Sequence, residues 1–333
     1  MVRILWFAVP LVLVVSVALF FDRQPTIEIV ETCPASAQAG GEIYVAGGSF
    51  LIGDTKYYAE EGPISERHVE NFWIDVTEVT NAQFAKFVAA TGHVTQAERG
   101  LVGAAFSEVL PEFRMPGSMV FTPPETILDA SPSEWWVFVP GATWRTPFGK
   151  ESSVEGKGNY PVVHITHEDA TAYAKWAGRR LLTEEEWEFA ARFNENREAE
   201  NKLSATEQPD GNIWHGIFPV INTADDGFEG MAPVGCFTAN NLGVFDMIGN
   251  VWEQTSSVYF PGHRQDINAT LPLEGFDPRQ PDVPVHVIKG GSYLCANNFC
   301  LRYRPAAREA QDAYLGSSHI GFRTGRSASL SKN

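Results

Sequence analysis

The hydrophobic pattern changes character along the chain. Leu5 to Phe21 is a near-continuous apolar run broken only by Ser16, with Arg3 before it and Asp22-Arg23 after it. The run just reaches bilayer-spanning length and is slightly long for a signal-peptide core. A buried core helix at this position would show a polar face, and none is present. No small-x-small cleavage site follows closely, because Ala35-Ser36-Ala37 lies well beyond the apolar end, and Glu31-Thr32 before Cys33 is a poor lipoprotein box. The expectation is an uncleaved anchor (residues 1–23, apolar over 5–21) with the body outside the cytoplasm; a cleaved signal is the alternative. Residues 24–40 have Pro, Ser and Ala but little periodicity and read as a linker.

From residue 41 the pattern turns globular. Glu42 to Gly53 reads as two short strands around Gly47-Gly48. Three helices carry start signals. Thr80-x-x-Gln83 is a capping box, with Phe84, Phe87 and Val88 on one face and Gly92 as the stop. Thr166 to Gly178 places Ala170, Tyr173, Ala174 and Ala177 at three/four spacing, and Thr183-x-x-Glu186 opens a helix with Trp187, Ala190 and Ala191 inward. Neither a second composition shift nor an internal repeat follows. The organisation is therefore one body over residues 41–328 and a tail at 329–333.

Composition sharpens this picture. The 333 residues include 29 Gly, 21 Pro and 12% aromatics, which suits a loop-rich fold with large rings in its core. Trp135, Trp136, Trp144, Trp214 and Trp252 fall outside the helical segments, so the loops should be packed; Trp135-Trp136 reads as core packing or as the wall of a peptide groove. With 25 Lys+Arg against 41 Asp+Glu the net charge is −16. That argues against nucleic acid and confines membrane contact to the N-terminal segment. Four Cys exclude a dense disulfide scaffold, and the isolated Cys236 reads as a small buried hydrophobe.

The remaining chemistry concentrates in Cys295-x4-Cys300. Structural zinc needs four ligands, and no partner CxxC or His-x3-His exists. Two thiolates suit a soft monovalent ion such as Cu(I), and the same pair forms a disulfide in an oxidising compartment. Spacing alone favours the disulfide. Arg302 and Arg304 would lower a thiol pKa if they face it.

The context of the pair resembles a known family. Lys289-Gly-Gly-Ser-Tyr293, Arg302-Tyr-Arg304, Ala306-Ala-Arg308 and Gly321-Phe-Arg323 follow the C-terminal signature of the formylglycine-generating enzymes (sulfatase-modifying factors). Upstream, Pro161 to Thr166, Asp169-Ala170, Trp176 to Arg192, Asn212 to Pro219, Asp226-Gly-Phe228 and Asn241 to Glu253 continue the likeness over residues about 40 to 327. The resemblance implies an irregular α+β, C-type-lectin-like fold. It implies that Cys295 and Cys300 bind Cu(I) and that the thiolate of a substrate cysteine joins them. With O2, a cysteine in a Cys-x-Pro-x-Arg segment of an unfolded sulfatase, or of another cysteine-containing polypeptide, becomes Cα-formylglycine. Ser292 matches an active-site serine of the family; a turn hydroxyl is the equal alternative.

The resemblance also implies two structural Ca2+ sites. One has the Asn212 and Asp226 side chains with the carbonyls of Ile213 and Phe228. The other has Glu253 with the carbonyls of Ile248, Gly249 and Val251. Carboxylate, amide and carbonyl oxygens are the donors Ca2+ takes. The chain departs from the family at Gln254, where a Trp is usual, and at Ala296, where a His is common. Those departures keep two alternatives open: an oxidase or maturation factor for another extracytoplasmic peptide, and a non-enzymatic lectin-like binding module with a permanent Cys295–Cys300 disulfide.

Overall fold

A computed structural model describes residues 33, 40–103, 106–124, 126, 134–193, 209–263 and 274–328. The expected anchor at residues 5–21 lies outside them. Among the described residues no helix is long and apolar enough to cross a membrane.

The elements are short. The chain opens with β1 (Glu42–Val45), β2 (Gly48–Ile52), β3 (Ser65–Val69) and β4 (Phe72–Asp75), then α1 (Asn81–Thr91), α2 (Gln96–Arg99) and α3 (Pro111–Arg114). Next come β5 (Gly117–Phe121), β6 (Trp136–Pro140), α4 (His167–Trp176), β7 (Arg180–Leu181), α5 (Glu184–Ala191), β8 (Gly216–Ile217) and β9 (Ile221–Asn222). Last are β10 (Trp252–Val258), β11 (Val285–Lys289), β12 (Glu309–Asp312), β13 (Ile320–Gly321) and β14 (Thr324–Ser327). One four-stranded sheet runs β1-β4-β14-β7 and a second runs β12-β11-β10-β13; β2-β3, β5-β6 and β8-β9 are separate pairs. β14 pairs with β4 across nearly the whole sequence, which closes the body.

The expected helices form where their caps start. Thr80, Thr166 and Thr183 each accept from the backbone three residues on, and each capping box is complete. Gly92 ends α1 in the left-handed region that glycine adopts freely. Phe84 and Phe87 meet Tyr173, Trp144 and Phe322 in one core between α1 and α4. Trp187 and Ala190 of α5 join Val45, Phe72 and Ile74 of the first sheet in another. Ala177, at the same three/four spacing as Ala170, Tyr173 and Ala174, is exposed, because α4 ends at Trp176 and the chain leaves through Gly178. Trp135, Trp144 and Trp214 in loops and Trp252 at the start of β10 are buried, whereas Trp136, which opens β6, is half-buried.

Cys236 is a correction to the sequence reading. It forms a disulfide with Cys33, 203 residues away. Spacing gave no sign of this pairing, because two cysteines so far apart meet only through the completed fold. The disulfide ties the segment read as a linker onto the body.

Candidate active site

The dithiol is built by turns. β11 ends at Lys289, and Gly290 and Gly291 turn the chain with φ of 92° and 72°. A Cβ on Gly291 would stand 2.8 Å from Tyr303 Cα, so the close approach requires glycine. The Ser292 carbonyl then accepts Cys295 N–H at 2.8 Å, and the Ala296 carbonyl accepts both Phe299 N–H at 3.1 Å and Cys300 N–H at 2.8 Å. These turns fold the four-residue spacer back on itself and set the two Sγ atoms 3.0 Å apart. Both thiols are free. A disulfide, favoured by spacing, has sulfurs about 2.05 Å apart. Cys295 is 2% exposed; Cys300 is half-buried.

The two thiols are electrostatically unequal. Burial, and then the adjacent Cys300, hold the Cys295 thiol well above its usual value. The hydrogen bond from Cys295 sets Cys300 below its usual value, against the opposing effect of burial. The backbone N–H and the charge of Arg302 add to that lowering. Arg302 is held over the Tyr58 ring at 4.0 Å, pairs with Glu60 at 2.5 Å and meets Glu309 at 3.3 Å. Tyr58 Oη accepts Leu301 N–H at 3.1 Å. Arg304, expected to act on the thiols, instead forms a buried pair with Glu61. Arg308 pairs with Glu184 and Lys289 with Glu188. This buried charge network locks the Cys loop to α5 and to the segment preceding β3.

Ser292 is fully buried, and its Oγ accepts Leu294 N–H at 3.3 Å. It shapes the turn that carries Cys295 and keeps its own proton to donate. Gln254 is also buried; its amide donates to the Ile165 carbonyl at 3.4 Å, and Oε1 has no partner. Beside Cys300, Phe299 is 51% exposed. Its ring stacks on Phe218 at 4.7 Å and meets Trp135 edge-on at 5.2 Å. Trp135 thus packs beneath the surface, while Phe299 offers an open aromatic face next to the thiol.

The oxygen donors gather in two places. Asp226 Oδ1 and Oδ2 accept the Phe228 and Ile213 N–H groups at 3.0 and 3.2 Å. Asn212 Nδ2 donates to the Gly230 carbonyl and to Asn250 Oδ1, leaving Asn212 Oδ1 buried without a partner. A buried amide oxygen without a partner, on the residue before Ile213, whose N–H the Asp226 carboxylate accepts, fits a hard cation. Glu253 is engaged differently. Both its oxygens accept from Arg323, and Trp187 Nε1 donates at 2.7 Å. Gly249 N–H donates to the Gly290 carbonyl at 2.9 Å.

Sequence reading missed two further carboxylates there, Glu78 and Asp246, both buried. Burial, and then Asp246, push Glu78 well up, and Glu78 Oε2 has no partner. Glu78, Asp246 and Glu253 face one neutralising guanidinium, Arg323. That negative excess also fits a cation. Asp246 lies within the Asn241-to-Glu253 segment, whereas Glu78 carries no local signal.

Comparison with known proteins bears on this arrangement. Residues 28–328 match the family model of the sulfatase-modifying factor enzyme 1-like domain. A formylglycine-generating enzyme of Mycobacterium tuberculosis is 45% identical, covering 83% of this chain and 94% of its own. The mouse formylglycine-generating enzyme is 40% identical, covering 84% and 73%. A mouse protein named inactive C-alpha-formylglycine-generating enzyme 2 is 35% identical, covering 90% and 92%. The solved structure of PvdO from Pseudomonas aeruginosa shares the fold, with a TM-score of 0.57 at 19% identity over 88% of this chain and all of that one.

Proposed function

The chain belongs to the formylglycine-generating enzyme (sulfatase-modifying factor) family, and we propose that it oxidises a cysteine of an unfolded sulfatase segment to Cα-formylglycine. The observation that carries this reading is the pair of reduced thiols, Cys295 and Cys300, 3.0 Å apart with Cys300 toward solvent. Free thiols at this separation support an oxidase over a binding module that holds a permanent disulfide.

Two close thiols of unequal acidity are a donor set for Cu(I), which favours few, soft ligands. Bound there, copper would supply the O2 chemistry that side chains lack. The residues of the chain do the rest. Cys295 is buried and anchors the pair; Cys300 stands at the surface where a substrate thiol arrives. Arg302, fixed by Tyr58, Glu60 and Glu309, holds positive charge beside the sulfurs. Ser292 keeps a hydroxyl proton at the base of the loop. Phe299 provides an apolar face for a residue flanking the substrate cysteine. Converting CH2–SH to an aldehyde removes two electrons, while O2 accepts four. Two external thiols supply the other two electrons as they join in a disulfide, O2 ends as water, and the substrate sulfur leaves as hydrogen sulfide.

Ca2+ at Asn212 and Asp226, and at the Glu253 region, is proposed as structural: the unpaired oxygens of Asn212 and Glu78 support it. An extracytoplasmic location is proposed from the Cys33–Cys236 disulfide, since such bonds persist in oxidising compartments.

The test is mass spectrometry of a Cys-x-Pro-x-Arg peptide incubated with Cu(I)-loaded protein, O2 and a thiol reductant. An aldehyde trapped by hydrazine, absent with Cys295→Ser and Cys300→Ser, is the expected result. Copper binding without conversion would favour another peptide substrate, with Gln254 the first position to restore to Trp. Absence of both would favour the binding module.

A further inference from the structure

We propose that the buried ring of His215 is a third side-chain ligand at the Asn212–Asp226 cation site, so that this site accepts nitrogen-binding divalent ions such as Mn2+ and Zn2+ as well as Ca2+. The inference rests on the reading of Asn212 and Asp226 as a cation site and adds a donor of a different chemical class.

His215 is 6% exposed, and neither ring nitrogen has a hydrogen-bond partner. Its Nε2 lies 3.5 Å from Asp226 Oδ2, too far for a good N–H···O bond. It is, however, the separation of two ligands on one ion: donors about 2.0–2.2 Å from a metal lie roughly 2.9–3.5 Å apart at octahedral to tetrahedral angles. The ring is held from the backbone. His215 N–H donates to Asn222 Oδ1 at 3.2 Å, and its carbonyl accepts Thr223 N–H at 2.8 Å. Asn222 lies in β9 and Thr223 follows it, so the backbone that carries the imidazole is held without help from the ring nitrogens.

Asn212 is fixed equally firmly. Its amide nitrogen donates to the Gly230 carbonyl and to Asn250 Oδ1, so the oxygen is the unpaired end. The imidazole and the Asp226 carboxylate therefore face each other, and the Asn212 oxygen, on the residue before the Ile213 N–H that Asp226 accepts, is the third group with capacity left. Ca2+ takes oxygen almost exclusively, whereas imidazole suits transition ions.

The experiment uses the full chain carrying Cys295→Ser and Cys300→Ser, which removes the competing thiols. After chelation of resident ions, Mn2+ is added and pulsed EPR records 14N coupling to the bound ion. Coupling should be present, and it should be lost in His215→Gln while Mn2+ still binds. Zn2+ affinity should fall at least about tenfold in that variant, with Ca2+ affinity changing less than about threefold. Bound Mn2+ without 14N coupling, or unchanged coupling in His215→Gln, overturns the inference and leaves the oxygen site standing. No divalent binding sensitive to Asn212→Ala overturns both. Thermal unfolding with Ca2+ confirms that each variant is folded.

Discussion

Tyr58 and Arg302 lie face to face beside the dithiol, the guanidinium carbon 4.0 Å from the ring centroid, while the phenol oxygen accepts the neighbouring Leu301 N–H. One side chain thus holds both the charge and the backbone that follow Cys300. Tyr58→Phe keeps the ring and loses the acceptor, which should cost about 1 kcal/mol. Tyr58→Ala loses both and should weaken Cu(I) binding further than Phe does. Urea unfolding and competition with a Cu(I) indicator distinguish the two; equal behaviour of Phe and Ala would show that the stack contributes nothing.

The unequal thiols predict an order of labelling. At neutral pH the metal-free protein should react with iodoacetamide at Cys300 before Cys295, because Cys300 is held below and Cys295 well above the usual thiol value. Peptide mapping after brief exposure reads the order. Arg302→Gln should slow labelling of Cys300, since it removes the nearby positive charge.

Arg323 neutralises Glu253 in a fully buried pair, with Glu78 and Asp246 close by. Arg323→Ala leaves that carboxylate group uncompensated and should destabilise by about 3–5 kcal/mol. Adding Glu253→Gln should recover part of the loss. Chemical denaturation of the single and double variants measures it, and no recovery would mean the arginine acts through its packing.

Five histidines should make the fold acid-sensitive. Burial lowers His164, His263 and His286 to about 4 and His167 and His319 to about 3. Below pH 6.5 the unfolded chain binds protons that the folded chain refuses. Stability is therefore complete above that value and falls as pH drops toward 4. Glu78, Glu61, Asp75, Asp226, Asp246 and Asp312, all raised chiefly by burial, work in the opposite sense. The net loss between pH 7 and 5 should be at least about 3 kcal/mol. Guanidinium unfolding at the two pH values tests the sign.

The Cys33–Cys236 bond closes a span of 203 residues. Cys33→Ser should lower stability by about 2–5 kcal/mol, and non-reducing peptide mapping should find the pair joined in the native protein. Equal stability with and without reductant would contradict a role for the bond in folding.

Helix starts were legible in the sequence because a cap is a contact between residues three apart: Thr80, Thr166 and Thr183 needed only their own next turn. A fourth box, Thr95 with Glu98, was overlooked because α2 is a single turn without a periodic face. The Cys295–Cys300 spacing named the chemistry but left disulfide and dithiol open. The turns at Ser292 and Ala296 bring the two sulfurs to 3.0 Å as free thiols.

Determined by the sequence alone were the capped helices, the loop-rich composition and the Cys295-x4-Cys300 spacing, all properties of neighbouring residues. Tertiary structure decided what meets what. It joined Cys33 to Cys236, sent Arg304 to Glu61 rather than to the thiols, brought Glu78 to Asp246 and Glu253, and turned His215 toward Asp226. Except for His215 and Asp226, those partners are far apart along the chain. Their approach depends on closing long loops and packing one core, and no local pattern encodes that.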